Sequence, residues 1–175
     1  GELTTLQGYV DRMKDDQKAI YYLTGPTRAA IESGPYLEAF KARGLEVLMV
    51  FEGIDDFVMS HIGTFQEKEL VSADQDDLDL GEVPEEAKQG EPLEKDKLDG
   101  LCGWLKETLG EEKVARVTPG ERLVDSPVVA LNADKMMTSN MRRMMRMMNP
   151  DQPDAPAPVN LEINPRHQLV HKLAD

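Results

Sequence analysis

Few side chains in this 175-residue chain are placed to do chemistry. His167 and His171 stand four apart on a predicted helix, with Asp175 one further turn on. That spacing puts the three groups on one helix face, as a shared metal requires. No cysteine accompanies them, so a solvated helix face is the reading taken and no metal is expected. Asp74, Asp76 and Asp77, with Glu85 at the twelfth place of the run, have the acidic character of a calcium loop. Leu78 takes the fifth, ligating place and Asp79 the sixth, where the sharp turn needs glycine, so a calcium site is rejected. Gly25-Pro26-Thr27-Arg28, at a strand-to-helix turn, could hold an anion at the helix N-terminus. The glycine-rich phosphate signature ending in Gly-Lys-Ser/Thr is absent, and so is the Gly-x-Ser-x-Gly nucleophile turn. Cys102 has no partner close in sequence and is read as a small core residue. No catalytic residue and no cofactor site is assigned from these residues.

A second kind of chemistry lies in residues 134–148, which hold seven of the chain's ten methionines beside Arg142, Arg143 and Arg146. Wound as an α-helix, Met137, Met141, Met144, Met145 and Met148 form one stripe, with the three arginines on the opposite side. The thioether side chain is unbranched and repacks easily. Such a stripe is either a core face or a surface that grips varied apolar partners, and the pattern alone leaves both open.

The elements that position these residues alternate between strand and helix. Ala19–Thr24 is a β-branched and aromatic run ended by Gly25-Pro26, hence a strand. Helical segments follow over 27–32 and 36–41, interrupted at Ser33-Gly34-Pro35 and stopped at Gly44. Residues 46–51 are nearly continuously apolar, as in a strand covered on both faces. Ile54, Phe57, Val58 and Ile62 share one face of a further helix, and Lys68–Ser72 is a third short strand. The alternation predicts an α/β layer with a parallel pair and a right-handed crossover. Residues 74–92 are acidic, with two prolines and two glycines, and read as a linker or a poorly ordered solvated loop. A helix resumes over 93–109, with Leu98, Leu101, Cys102, Leu105 and Leu109 inward, Trp104 off that stripe against a neighbouring element, and Gly110 as C-cap. Strands are predicted at 114–118, 128–131 and 159–163. A proline-rich connector spans 151–158, and a last helix starts with Asn164 as N-cap and Pro165 at its first position.

Composition excludes several classes. A net charge of -13 and a pI near 4.7 make a poor general binder of nucleic acid. A single cysteine forms no internal disulfide, which fits a reducing compartment. No apolar run approaches the ~18 residues of a membrane span, and the first residues do not resemble a secretory signal.

Several ordered blocks resemble a known family. Tyr9-Val10-Asp11-Arg12-Met13-Lys14 and Gln17–Gly25 closely resemble a block late in the middle domain of the heat-shock protein 90 chaperones. Leu45–Met49 followed by Ile54-Asp55-Asp56-Phe57 is similar to the next block, where an aromatic residue follows the acidic pair. Arg122–Pro127 with the methionine stretch resembles the start of the family's C-terminal core. Leu161-Glu162-Ile163-Asn164-Pro165-Arg166-His167 resembles its leucine-x-x-asparagine-proline-x-histidine block.

The resemblance implies a fragment of an ATP-dependent molecular chaperone of bacterial, cytoplasmic type. Residues 1–73 would be the last α/β subdomain of the middle domain, a small α/β/α layered unit. Residues 74–92 would be an acidic linker or loop, and 93–175 a mixed α+β C-terminal domain of dimerisation type, missing its last helices. ATP and magnesium would belong to the parent's N-terminal domain, so the fragment itself is expected to be no enzyme. The implied partners are partly unfolded client proteins, a second copy in the parent homodimer, and the seventy-kilodalton chaperone system. The implied client-binding residues are Met137, Met141, Met144 and Met145. The competing reading is an acidic α/β binding module whose basic amphipathic methionine helix touches a membrane surface.

Overall fold

The computed structural model describes residues 3–52, 54–134, 141 and 158–175. Helices and two mixed sheets give an α/β fold. The first sheet is built from β1 (Ala19–Thr24), β2 (Leu48–Val50), β3 (Thr64–Phe65) and β4 (Lys68–Ser72), in the order β2-β1-β4-β3. β1 pairs parallel with both β2 and β4, as the alternation of elements requires, and β3 pairs antiparallel with β4. Gln66 and Glu67 make the tight turn between β3 and β4 with positive φ at both positions. Four helices belong to this half: α1 (Leu6–Val10), α2 (Arg28–Glu32), α3 (Glu38–Ala42) and α4 (Asp55–Ile62).

β1 lies at the centre, and its side chains from Ala19 to Leu23 are buried on both faces. On one face Tyr21 meets the edge of Phe40 from α3, ring centres 5.0 Å apart. Tyr9 of α1 ties this half together through its hydroxyl. It donates to the Glu46 carbonyl at 2.6 Å and accepts from Gln17 Nε2 at 2.9 Å and from the Tyr21 amide at 3.2 Å. Burial raises the Tyr9 pKa, so the phenol stays a donor. β2 departs from expectation. It is an edge strand, only partly buried, and Phe51 just beyond it is exposed.

The second sheet joins β5 (Val114–Pro119), β6 (Val128–Leu131) and β7 (Val159–Ile163) in the order β5-β7-β6. The last strand in sequence is the central one, parallel to β5 and antiparallel to β6. α5 (Lys95–Leu109) packs Leu98, Leu101 and Cys102 inward against Ile163 and against Val170 of α6 (Gln168–Ala174). Gly110 ends α5 at φ +85°, a conformation that costs a glycine little. Trp104 finds no cover on a neighbouring element and is 54% exposed.

The final helix starts later than its sequence predicts. Its N-cap is His167, whose Nδ1 accepts from the Leu169 amide at 3.0 Å. Asn164 is used elsewhere: its Nδ2 donates to the Ser126 carbonyl at 3.1 Å, and its Oδ1 accepts from the Arg166 amide at 3.0 Å. A capping residue with a long-range partner available serves that partner instead.

Residues 74–92 form a coil whose first part is built into the protein rather than solvated. Asp74 and Val83 are buried. The Asn132 amide donates to the Asp74 carbonyl at 2.8 Å, and the Asp76 amide donates to the Asn132 carbonyl at 3.1 Å. Arg122 donates to the carbonyls of Gln75 at 2.8 Å and Asp76 at 2.9 Å, and Asn160 donates to the Asp76 carboxylate at 2.9 Å. Charge density alone hides this packing, because the partners lie some forty to eighty residues downstream in the sequence.

Candidate functional site

The surface most unlike the rest of the protein is α4. Ile54, Phe57, Val58 and Ile62 do share one side, as their spacing requires, yet that side faces outward. Their exposures are 70%, 46%, 44% and 40%, and neighbouring Phe51 is 44% exposed. Turned toward the sheet instead is Asp56, with 0% exposure, beside the half-buried Met59. The Asp56 carboxylate accepts from the Thr24 hydroxyl at the end of β1, at 3.1 Å. At the helix start Asp55 accepts from the Glu52 amide at 3.1 Å. At its end Gly63 turns the chain at φ +62° and donates to the Met59 carbonyl at 3.1 Å. The helix is therefore moored by polar contacts on its inner side while its apolar stripe meets water. An amphipathic helix ordinarily mounts the other way round. A cluster of apolar side chains at such exposure marks an interaction surface rather than a core. Phe57 and His61 stack within it, ring centres 6.2 Å apart.

The mooring site is electrostatically loaded. Burial pushes the Tyr22 phenol up to about 12, helped by the nearby Asp56 and Asp74 carboxylates. A raised folded-state value gives stability that is full below pH ~10 and is lost as pH climbs toward 12. Two units correspond to about 3 kcal/mol. Denaturant midpoints should fall over that alkaline range, and less steeply in Tyr22→Phe than in the parent chain.

The residues singled out by sequence are dispersed. His167 caps α6, His171 Nε2 lies 3.0 Å from the Pro165 carbonyl, and Asp175 pairs with Lys97 at 2.6 Å. At the Gly25–Arg28 turn the polar side chains are already engaged. A Cβ at Gly25 would stand 2.6 Å from Ile31, Thr27 caps the five-residue α2 through the Ala30 amide, and Arg28 pairs with Glu32. Cys102 is buried in the α5 core, where burial raises its thiol pKa. Of the methionine stripe, Met141 is helical and half-buried. Met137, Met144 and Met145 lie outside the described residues. Sequence reasoning found the α4 stripe but missed its orientation. Asp56, opposite the stripe on the helix wheel, gave the contrary signal, because an acid there usually marks the solvent side.

Among the described residues no helix is long and apolar enough to cross a membrane. Comparison with known proteins gives a consistent picture. The Hsp90 protein family profile matches residues 1–175. "Chaperone protein HtpG" of Desulfitobacterium hafniense (strain Y51) is 46% identical over 175 residues, all of this chain and 28% of that protein. The protein of the same name from Desulfotalea psychrophila is 41% identical over 180 residues, again all of this chain and 29% of its relative. That of Streptomyces coelicolor is 39% identical over 178 residues, 98% of this chain and 27% of its own length. The chain thus spans between a quarter and a third of the curated relatives it matches. It belongs to the Hsp90 family.

Proposed function

We propose that this chain supplies a client-binding surface to a molecular chaperone, holding partly unfolded proteins through exposed apolar side chains. The observation that carries the reading is the outward face of α4, where Ile54, Phe57, Val58 and Ile62 stand in water on a helix moored by Asp56. Burying each such side chain contributes about 1.5–3 kcal/mol. Much of that is offset by the cost of ordering a flexible partner, so the grip is weak and tolerant. The relatives' chaperone name supports the same reading.

Met137, Met141, Met144 and Met145 serve the same task, suited to varied partners by the adaptable thioether. Residues 1–73 act as the last α/β part of a middle domain and 93–175 as part of a C-terminal domain that contributes to homodimerisation in the longer, cytoplasmic parent. ATP and magnesium serve that parent elsewhere.

The test compares binding of a permanently unfolded, fluorescently labelled polypeptide by the parent chain, by Phe57→Ser/Ile62→Ser, and by a variant with the four methionines changed to serine. Serine at the half-covered Phe57 and Ile62 together should cost about 2–3 kcal/mol of stability and leave the chain folded. It should weaken binding at least about ten-fold. Unchanged affinity in a folded α4 variant would sink the reading of that face.

A further inference from the structure

The two sheets are held to each other by a contact that neither the family nor the apolar face of α4 explains. We infer that the backbone of Val124–Ser126 is a carboxylate-binding nest whose resting occupant is Glu38, and that this seat is a releasable latch between the two sheets. Glu38 opens α3 on the first sheet's side. Its Oε2 accepts from three consecutive amides, Val124 at 2.9 Å, Asp125 at 2.9 Å and Ser126 at 3.1 Å, while its Oε1 accepts from the Ser126 hydroxyl. Convergent backbone amides of this kind form an anion-binding concavity. Both carboxylate oxygens are used, a demand that a carboxylate meets and a side-chain amide meets only on one side. Burial works to raise the Glu38 pKa, but the four hydrogen bonds outweigh it and leave the group below its ordinary value.

The nest is shaped without Glu38. Asn164, buried at the end of β7, donates to the Ser126 carbonyl at 3.1 Å, and its amide donates to the Pro127 carbonyl at 2.9 Å. Gln89 donates to the Asp125 carboxylate at 2.8 Å. All of these partners lie C-terminal to the first sheet, so the donors keep their aim when Glu38 withdraws. The other contacts at this end of the joint are the Tyr36 hydroxyl donating to the Ala130 carbonyl at 2.8 Å and the packing of the Tyr36 side chain on Leu123, Val129 and Leu131. The chain itself crosses between the sheets at residues 73–76, held there by Arg122, two positions before the seat. Ala73 donates to the Tyr22 carbonyl at 2.7 Å in the first sheet, while Asp74 and Asp76 are bonded to Asn132 beside the second. The covalent crossing stays when the polar seat is vacated, so the loss of Glu38 frees one sheet to move against the other without parting them. The competing ligand is another carboxylate, such as an acidic side chain of a bound polypeptide.

Hydrogen exchange in the full 175-residue chain tests this, with acetate as the probe. In Glu38→Ala, the amides of Val124, Asp125 and Ser126 should exchange about ten-fold faster or more, while those of α5 and β7 keep their protection. Concentrated acetate should slow them again, and chloride at equal ionic strength should not. The parent should unfold in one denaturant transition and the variant in two, the first sheet apart from the second. Retained protection at residues 124–126, equal rescue by acetate and chloride, or an unsplit transition would each overturn the latch. Should Glu38→Ala lose protection throughout, Glu38→Gln and Ser126→Ala replace it with the same readings, each removing part of the seat.

Discussion

Arg122→Met is expected to lower the stability of this chain by about 3–5 kcal/mol, the usual result of removing one partner of a buried ion pair. The guanidinium is buried beside Glu162, with Nε and Oε2 3.6 Å apart, and Glu162 Oε1 accepts from the Arg122 amide at 2.8 Å. Its two terminal nitrogens also satisfy the carbonyls of Gln75 and Asp76. Methionine fills similar volume but leaves two carbonyls without their donor and the Glu162 carboxylate without its countercharge. Glu162 has little freedom to find water, because its side chain is folded over Gly120, where a Cβ would come within 2.1 Å of it. Urea denaturation reads the loss directly as a shift of midpoint at constant slope. Glu162→Gln should cost less, since the amide oxygen still accepts from the Arg122 backbone. A midpoint unmoved in Arg122→Met would show that the strap at residues 74–76 is held by something other than the guanidinium.

Tyr9→Phe should cost about 2–4 kcal/mol, although it removes one oxygen atom and leaves the ring in place. That oxygen serves the Glu46 carbonyl, Gln17 Nε2 and the Tyr21 amide together. Gln17 keeps a second acceptor, the Ala19 carbonyl at 2.7 Å, so its loss is partial. The Tyr21 amide belongs to the central strand and is buried, and a buried donor left alone costs its full desolvation. Thermal unfolding of the variant beside Leu37→Val, a volume change with no polar loss in the core cluster that holds Tyr21, separates packing from hydrogen bonding. A Tyr9→Phe loss no larger than a few tenths of a kcal/mol would mean that water enters behind the ring.

Elements whose pattern follows local periodicity were legible in the sequence. The Ala19–Thr24 strand, the inward stripe of α5 and the Gly110 cap all follow from spacing and from the conformational freedom of glycine. What spacing could not reveal was which way a stripe faces. The α4 stripe looks like a core face because apolar residues usually turn inward, and only the buried Asp56 reverses it. Asn164 reads as a cap because asparagine caps helices, yet a tertiary partner in the 124–127 loop takes its side chain, and His167 caps in its place. The acidic run after residue 73 reads as solvated because its countercharge, Arg122 and Arg116, arrives some forty residues later. The Glu38 seat leaves no local trace at all, since its donors are backbone amides more than eighty positions away.

The central claim is that the outward face of α4 grips unfolded protein. Methyl and amide chemical-shift mapping of the chain, titrated with a permanently unfolded polypeptide, tests it most directly. Ile54, Phe57, Val58 and Ile62 should shift together and saturably, while the amides of β1 stay where they are. Saturable binding that leaves all four unmoved would contradict it.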